Sequence, residues 1–156
     1  MKTCCFKYLC LFAALLAMPA TAVITLTEIT SPGFGLILSG ASGRQFILNT
    51  SGTITGANSA DYISSATAGE ITTTDNTSPV TIEILASSIS SAGGLTVNEV
   101  LCSYGGGAQT RCDGSPLVAT SAASSSLKVG VDITTSQVHS GGDSASVNFD
   151  IMITYQ

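Results

Sequence analysis

The chain has 156 residues with ten carboxylates against five Lys and Arg. Such an acidic surface repels phosphates and so excludes nucleic acid, and equally anionic lipid, as a natural partner. Ser, Thr, Gly and Ala dominate, Trp is absent, and outside the first residues no window shows sustained apolar residues at helical spacing, which points away from helices and towards strands and turns.

The first stretch, "MKTCCFKYLCLFAALLAMPATA", places Lys2 and Lys7 ahead of an apolar run from Tyr8 to Ala17 and closes on Ala20-Thr21-Ala22. This is the form of a secretory signal peptide cleaved after Ala22, with an apolar run too short to span a bilayer. Cys10 follows Lys7-Tyr8-Leu9, whereas a lipid-anchor cysteine follows a Leu-small-small triplet, which argues against an anchor. Residues 1–22 are read as the leader and 23–156 as one domain. The mature chain then keeps Arg44, Arg111 and Lys128 as its strong cations against ten carboxylates, a net charge of −7.

"VITLTEIT" (Val23 to Thr30) is the first strand, stopped by Pro32-Gly33 and followed by "FGLIL". "RQFILN" (Arg44 to Asn49) and "TIT" (Thr53 to Thr55) lie between glycine turns, and "DYISS" and "EITTT" are short candidates around Gly69. "PVTIEILA" (Pro79 to Ala86) sets Val80, Ile82 and Ile84 on one face, with Pro79 at a position suited to a first strand residue. "LTVNEVLCSY" follows Gly93-Gly94 and reads with Leu95, Val97, Glu99 and Leu101 on one side. "SSLKVGVDITT" (Ser125 to Thr135) places Leu127, Val129, Val131 and Ile133 together, and the Ser-rich Ala119 to Ser126 reads as a surface connection. The last segment, "SVNFDIMITYQ", alternates Val147, Phe149, Ile151, Ile153 and Tyr155 against polar or exposed positions. Termini fray unless tied down, so this strand needs a partner. Some seven to eight short strands separated by turn clusters predict an all-β antiparallel sandwich, and the alternation argues against a disordered, mucin-like chain.

Three cysteines, Cys4, Cys5 and Cys10, leave with the leader, and Cys102 and Cys112 remain. An even pair in a secreted chain predicts a disulfide around a short glycine-rich loop, and with it an oxidising compartment. A metal or redox pair would need further ligands or a two-residue spacing.

Reactive chemistry is not evident. His139, beside Ser140 and Asp143, lies in one turn, whereas triads are assembled across a fold. No nucleophile elbow is present, "GGGAQT" lacks the lysine of a phosphate loop, and the carboxylates are scattered. Asp113-Gly114 and Asp75-Asn76 read as turn residues before they read as calcium ligands. Arg44 reads as an edge cap or a carboxylate's partner. Asn49 and Asn76 each open an "NTS" glycosylation sequon. The expectation is a non-enzyme with no cofactor and no metal.

"ITLTEITSPGFGLILSGASGRQFILNTSGTITG", with its Phe34-Gly35 step and Gly40-Ala41-Ser42-Gly43 turn, resembles the opening of the bacterial domain of unknown function 4402 family. "SPVTIEIL" is similar to that family's central strand, and "LKVGVDITTSQVHSGGDSASVNFDIMITYQ", with its Val129-Gly130 step, to its closing hairpin. The ending also resembles subunits of chaperone–usher pili, which close with an alternating strand, a penultimate Tyr (here Tyr155) and a Gly fourteen positions before the last residue (here Gly142). The resemblance implies an incomplete immunoglobulin-like, pilin-like sandwich. Its last strand would be offered to a periplasmic chaperone and its groove filled by a neighbour's N-terminal segment at an outer-membrane usher.

On that basis Ile24, Leu26, Val147, Phe149, Ile151, Ile153 and Tyr155 are the expected strand-donation residues. The expected function is a secreted fimbrial subunit that self-associates into a surface fibre, passing through the periplasm to the cell surface. Two features depart from the pilin pattern. Little chain precedes Pro32 to serve as a free donor, with Glu28 interrupting the face of Ile24 and Leu26, and the cysteine pair lies far from the N-terminus. The alternative is a self-complete adhesion module that binds a glycan or protein through the loops at Tyr104 to Thr110 and Asn58 to Tyr62.

Overall fold

The computed structural model describes residues 23–37, 40–64, 66–138, 140 and 143–156. The expected leader with its three cysteines, Leu38 of "FGLIL", His139 and Gly142 lie outside the described residues.

Twelve strands and one short 3-10 turn make up the described chain: β1 (Ile24–Thr30), β2 (Leu36–Ile37), β3 (Gln45–Leu48), β4 (Ile54–Thr55), β5 (Tyr62–Ser64), β6 (Gly69–Asp75), β7 (Thr81–Ala92), β8 (Leu95–Tyr104), β9 (Thr110–Arg111), β10 (Leu117–Thr120), β11 (Ser124–Thr135) and β12 (Ser146–Tyr155). The architecture is the expected all-β antiparallel sandwich. The strand count exceeds the expected seven to eight because several pieces are only two residues long.

The larger sheet is built on β11. β8 pairs along one edge, while β6 and β3 follow one another along the other, β6 against Ser124–Val129 and β3 against Val131–Thr134. β1, β4 and β9 extend it beyond β6, β3 and β8. Gly130 sits where the neighbour changes from β6 to β3. A Cβ there would lie 2.2 Å from the Leu48 carbonyl oxygen, so the crossing requires glycine. The smaller sheet has the order β10-β7-β12, and β2 with β5 forms a separate ribbon.

The core divides into two clusters between the sheets. One joins Ile82, Ile84 and Ala86 of β7 to Val100 and Cys102 of β8, Leu127 and Val129 of β11, and Cys112. The other gathers Phe46, Leu48, Ile54, Val131 and Ile133. Leu127, Val129, Val131 and Ile133 are all fully buried, as their shared face predicts.

Four local readings change. β7 begins at Thr81, so Pro79, after a cis Ser78–Pro79 bond, precedes the strand, and β7 runs on to Ala92. In β8 the face switches midway. Asp132 opposes Glu99 and Ile133 opposes Val97, leaving Asn98 as a bulge whose amide donates to Asp132 Oδ1 and Thr134 Oγ1, both at 2.9 Å. Beyond it Val100 and Cys102 face the core, while Glu99 pairs with Arg111. Ala119 to Ser126 is not a plain connection, because Ala119 and Thr120 belong to β10 and Ser124 already opens β11. Tyr104, the aromatic expected in the bridged loop, instead packs on the core, and its hydroxyl accepts a hydrogen bond from Thr73 Oγ1 at 3.2 Å.

Candidate functional site: a cleft between two sheet edges

Most of the charged side chains pair in small groups. Arg111 binds Asp113 through Nη2–Oδ2 at 2.8 Å and reaches Glu99 at 3.4 Å, while Asp113 Oδ1 accepts the Val100 amide at 2.8 Å. Burial pushes the Asp113 carboxyl upward, but Arg111 and the Val100 amide outweigh it and hold its pKa below the usual range. The same pairing raises the Arg111 guanidinium. Gln45 and Asn98 amides satisfy the buried Asp132 carboxylate. Arg44 pairs with Asp61 at 3.2 Å, as its place at the start of a strand suggested, and Lys128 with Glu70 at 3.2 Å. Hydrogen bonds from Ser126 and Lys128, with the Lys128 charge, lower the Glu70 pKa. Among the described residues no group of three or more His, Cys, Asp or Glu could hold a metal ion, and no helix is long and apolar enough to cross a membrane.

Cys102 and Cys112 form the disulfide the sequence predicts, with both residues fully buried. The bridged segment links the two sheets. β9 pairs with β8 at Leu101 and Cys102; one residue later Ala86 of β7 donates its amide to the Cys112 carbonyl at 2.8 Å, and Cys112 donates to Val100. Asp113 bridges Ala86 in parallel. With β10 on Thr81–Ile84, this segment covers the side of β7 away from β12.

The opposite side is different. β12 is an edge strand: among the described residues its only strand partner is β7, in register from Ser146↔Ala92 to Tyr155↔Ile82. β1 is the facing edge of the larger sheet and, among the described residues, pairs only with β6. Between these two edges lies a cleft of about 700 Å³. Leu26 and Glu28 line it from β1, Ile71 and Val129 from its floor, and Val147, Phe149 and Ile151 from β12. At one end the chain leaving β1 crosses Gly69, where a Cβ would meet Pro32 Cδ at 2.9 Å. Ser88 of β7, with φ of +52°, also lines the cleft, where Ser88 and Ile89 together oppose Phe149.

The burial of β12 records the missing cover. Val147, Phe149, Ile151, Ile153 and Tyr155 share the inward face but are only half-buried, whereas inward residues of β7 and β11 such as Ile84 and Val129 are fully buried. Leu26 is 39% exposed although it alternates with Ile24, which packs on the core.

The far end of β12 is tied down. Tyr155 Oη donates to Asp75 Oδ1 at 2.9 Å, linking residues eighty apart and joining the smaller sheet to the end of β6. Asp75 Oδ1 also accepts the Thr77 amide at 2.8 Å and hydroxyl at 2.7 Å, which makes Asp75 the turn residue its sequence context suggests. Burial pushes the Asp75 carboxyl up, but hydrogen bonds from Ser121, Thr77 and Tyr155 outweigh it and hold the pKa at about 2. For Tyr155, burial is the main cause of a raised pKa; the Thr77 bond lowers it and the Asp75 bond and charge raise it further. Gln156 adds a backbone bond to the Thr81 carbonyl at 3.0 Å.

A scan of protein-family models and searches of curated proteins and of solved structures found no match.

Of the seven residues expected at a strand-donation site, five lie together along β12 and two on β1 across the cleft. Ile24 and Leu26 therefore sit in a strand paired to β6 and not in a free extension; Leu26, Val147, Phe149 and Ile151 line the cleft, whereas Ile24, Ile153 and Tyr155 pack against the core. Sequence reading missed Ile71, Val129 and Ser88, whose place at the cleft follows from strand pairing. It also missed Asp75 as the partner of Tyr155.

Proposed function

We propose that this chain is a secreted structural subunit of a surface fibre, and that a strand from a neighbouring subunit completes it by entering the cleft between β1 and β12. The observation that carries the reading is the edge of β12, which has no second strand partner among the described residues and whose inward apolar residues are only partly buried beside a cleft of about 700 Å³. An added strand would satisfy the open main-chain donors and acceptors of that edge, and its alternate side chains would cover Leu26, Phe149 and Ile151. Each apolar side chain fully buried in this way contributes roughly 1.5–3 kcal/mol. The buried disulfide fits an oxidising route through the periplasm, and there a chaperone would shield the same edge before an usher passes the subunit on. The pattern shared with the 4402 family and with pilins agrees with this reading. The loop-binding alternative is weakened by Tyr104, which turns into the core.

The test compares two neighbouring positions on β12. Ile151→Gln changes the cleft face, and Met152→Gln changes the outer face, where Met152 is 48% exposed. Surface material from producing cells is run in detergent without heating. Ile151→Gln is expected to give a folded subunit absent from the detergent-resistant ladder, and Met152→Gln a normal ladder. Entry of Ile151→Gln into the ladder at the level of the unmodified chain would exclude assembly through this cleft.

A further inference from the structure

The cleft carries charge of one sign. Glu28 continues the face of Ile24 and Leu26 on β1, so its carboxylate lies on the side that a completed sandwich would enclose. The neutral Ser31 hydroxyl donates to its Oε1 at 2.6 Å. Asp150 stands at the opposite rim, on β12, where it alternates with the inward Phe149 and Ile151 and is exposed on the outer face. The three Lys and Arg among the described residues are committed elsewhere: Arg44 to Asp61, Arg111 to Glu99 and Asp113, and Lys128 to Glu70. None of the three lines the cleft.

Filling the cleft with an uncharged apolar strand would strip water from Glu28 without replacing its solvation, which is costly for a carboxylate. Among the described residues a second copy of this chain offers no remedy. Its edge strands β1 and β12 contain no Lys or Arg, and each brings another carboxylate, Glu28 or Asp150, towards the two already there. Like charges placed face to face oppose pairing, whereas a cation aligned with them fixes both partner and register.

The geometry points to a heterologous donor: an extended segment of a different protein, apolar at alternate positions, with a Lys or Arg among its inward residues to meet Glu28. This rests on the strand-donation reading and identifies the partner. In a fibre it makes the chain a component joined to a different subunit, and its own copies do not follow one another.

The purified, oxidised protein is titrated with synthetic peptides of about ten residues. Each alternates Val with Thr and replaces one central Val by Lys, Gln or Glu. A further peptide has the sequence Val23 to Pro32 of this chain. Fluorescence anisotropy reads affinity at low and high salt, and amide exchange reads protection of β12. The Lys peptide is expected to bind about tenfold more tightly than the Glu peptide at low salt, with an advantage that shrinks as salt is added. Glu28→Gln combined with Asp150→Asn should abolish that preference without changing the melting temperature. The chain's own β1 peptide should bind no better than the Glu peptide. Equal binding of the Lys and Glu peptides, or tight binding of the β1 peptide, overturns the assignment of a cationic partner and leaves strand donation standing. Failure of every peptide to protect β12 overturns both.

Discussion

The two flanks of β7 solve the same problem differently. On one, β10 and the Cys112–Asp113 segment cover the strand, and a buried disulfide ties that cover to β8. On the other, β12 pairs with β7, but its own outer edge has no strand partner among the described residues and its inward face is only partly buried. One sheet of three strands thus has a sealed border and an unsealed one. On the strand-donation proposal, cohesion and association separate along this fold: residues near the disulfide hold the domain together, and residues near the cleft meet the partner.

The contrast can be broken most sharply in the core. Ile84→Ala, at a fully buried site on the sealed side, should cost about 2–5 kcal/mol in denaturant unfolding. Reducing the disulfide, or replacing Cys102 and Cys112 by Ala, should cost roughly 2–4 kcal/mol. Amide exchange should then accelerate at Ala86, whose N–H bonds the Cys112 carbonyl, before it does along β12. Ile151→Ala, on the partly buried face of β12, should cost less, on the order of 1–2 kcal/mol in the isolated chain, because that side chain is less completely buried than Ile84. A cost as large as that of Ile84→Ala would show that the open flank is as cohesive as the sealed one.

The smallest effect concerns pH. The Asp75 carboxyl is held at about 2, below its ordinary value near 3.8, so its contribution is present above about pH 4 and disappears as pH falls from there towards 2. Tyr155→Phe removes one of the donors responsible, so the acid unfolding curve of that variant should fall less steeply over the same window. At the alkaline end the raised Tyr155 pKa has the opposite sense. Stability is lost above about pH 10, where the unfolded tyrosine ionises first.

Strand existence was largely legible in the residues. β8 and β12 run close to where alternation and turn clusters place them, and the inward face of β11 is the one its apolar period marks. What alternation conveys is which face is apolar. It carries no information on which neighbour lies alongside. The single partner of β12, the passage from β6 to β3 at Gly130 and the Tyr155–Asp75 bond all depend on pairing between distant segments. The phase error in β8 has a local cause: one bulged Asn turns Val100 inward and Glu99 outward, and a count by twos passes through it unaltered. The cleft was foreshadowed only by the terminal apolar face and by Glu28 interrupting the first strand.

The segment that seals β7 has a consequence for maturation. Before its thiols are oxidised, only a few main-chain bonds and the Asp113 carboxylate keep Cys112 and its neighbour against Ala86 and Val100. A newly made, reduced chain thus has two soft borders, and the oxidised chain has one. On the strand-donation proposal, oxidation of the two thiols leaves β12 as the one border of this sheet at which a partner strand enters.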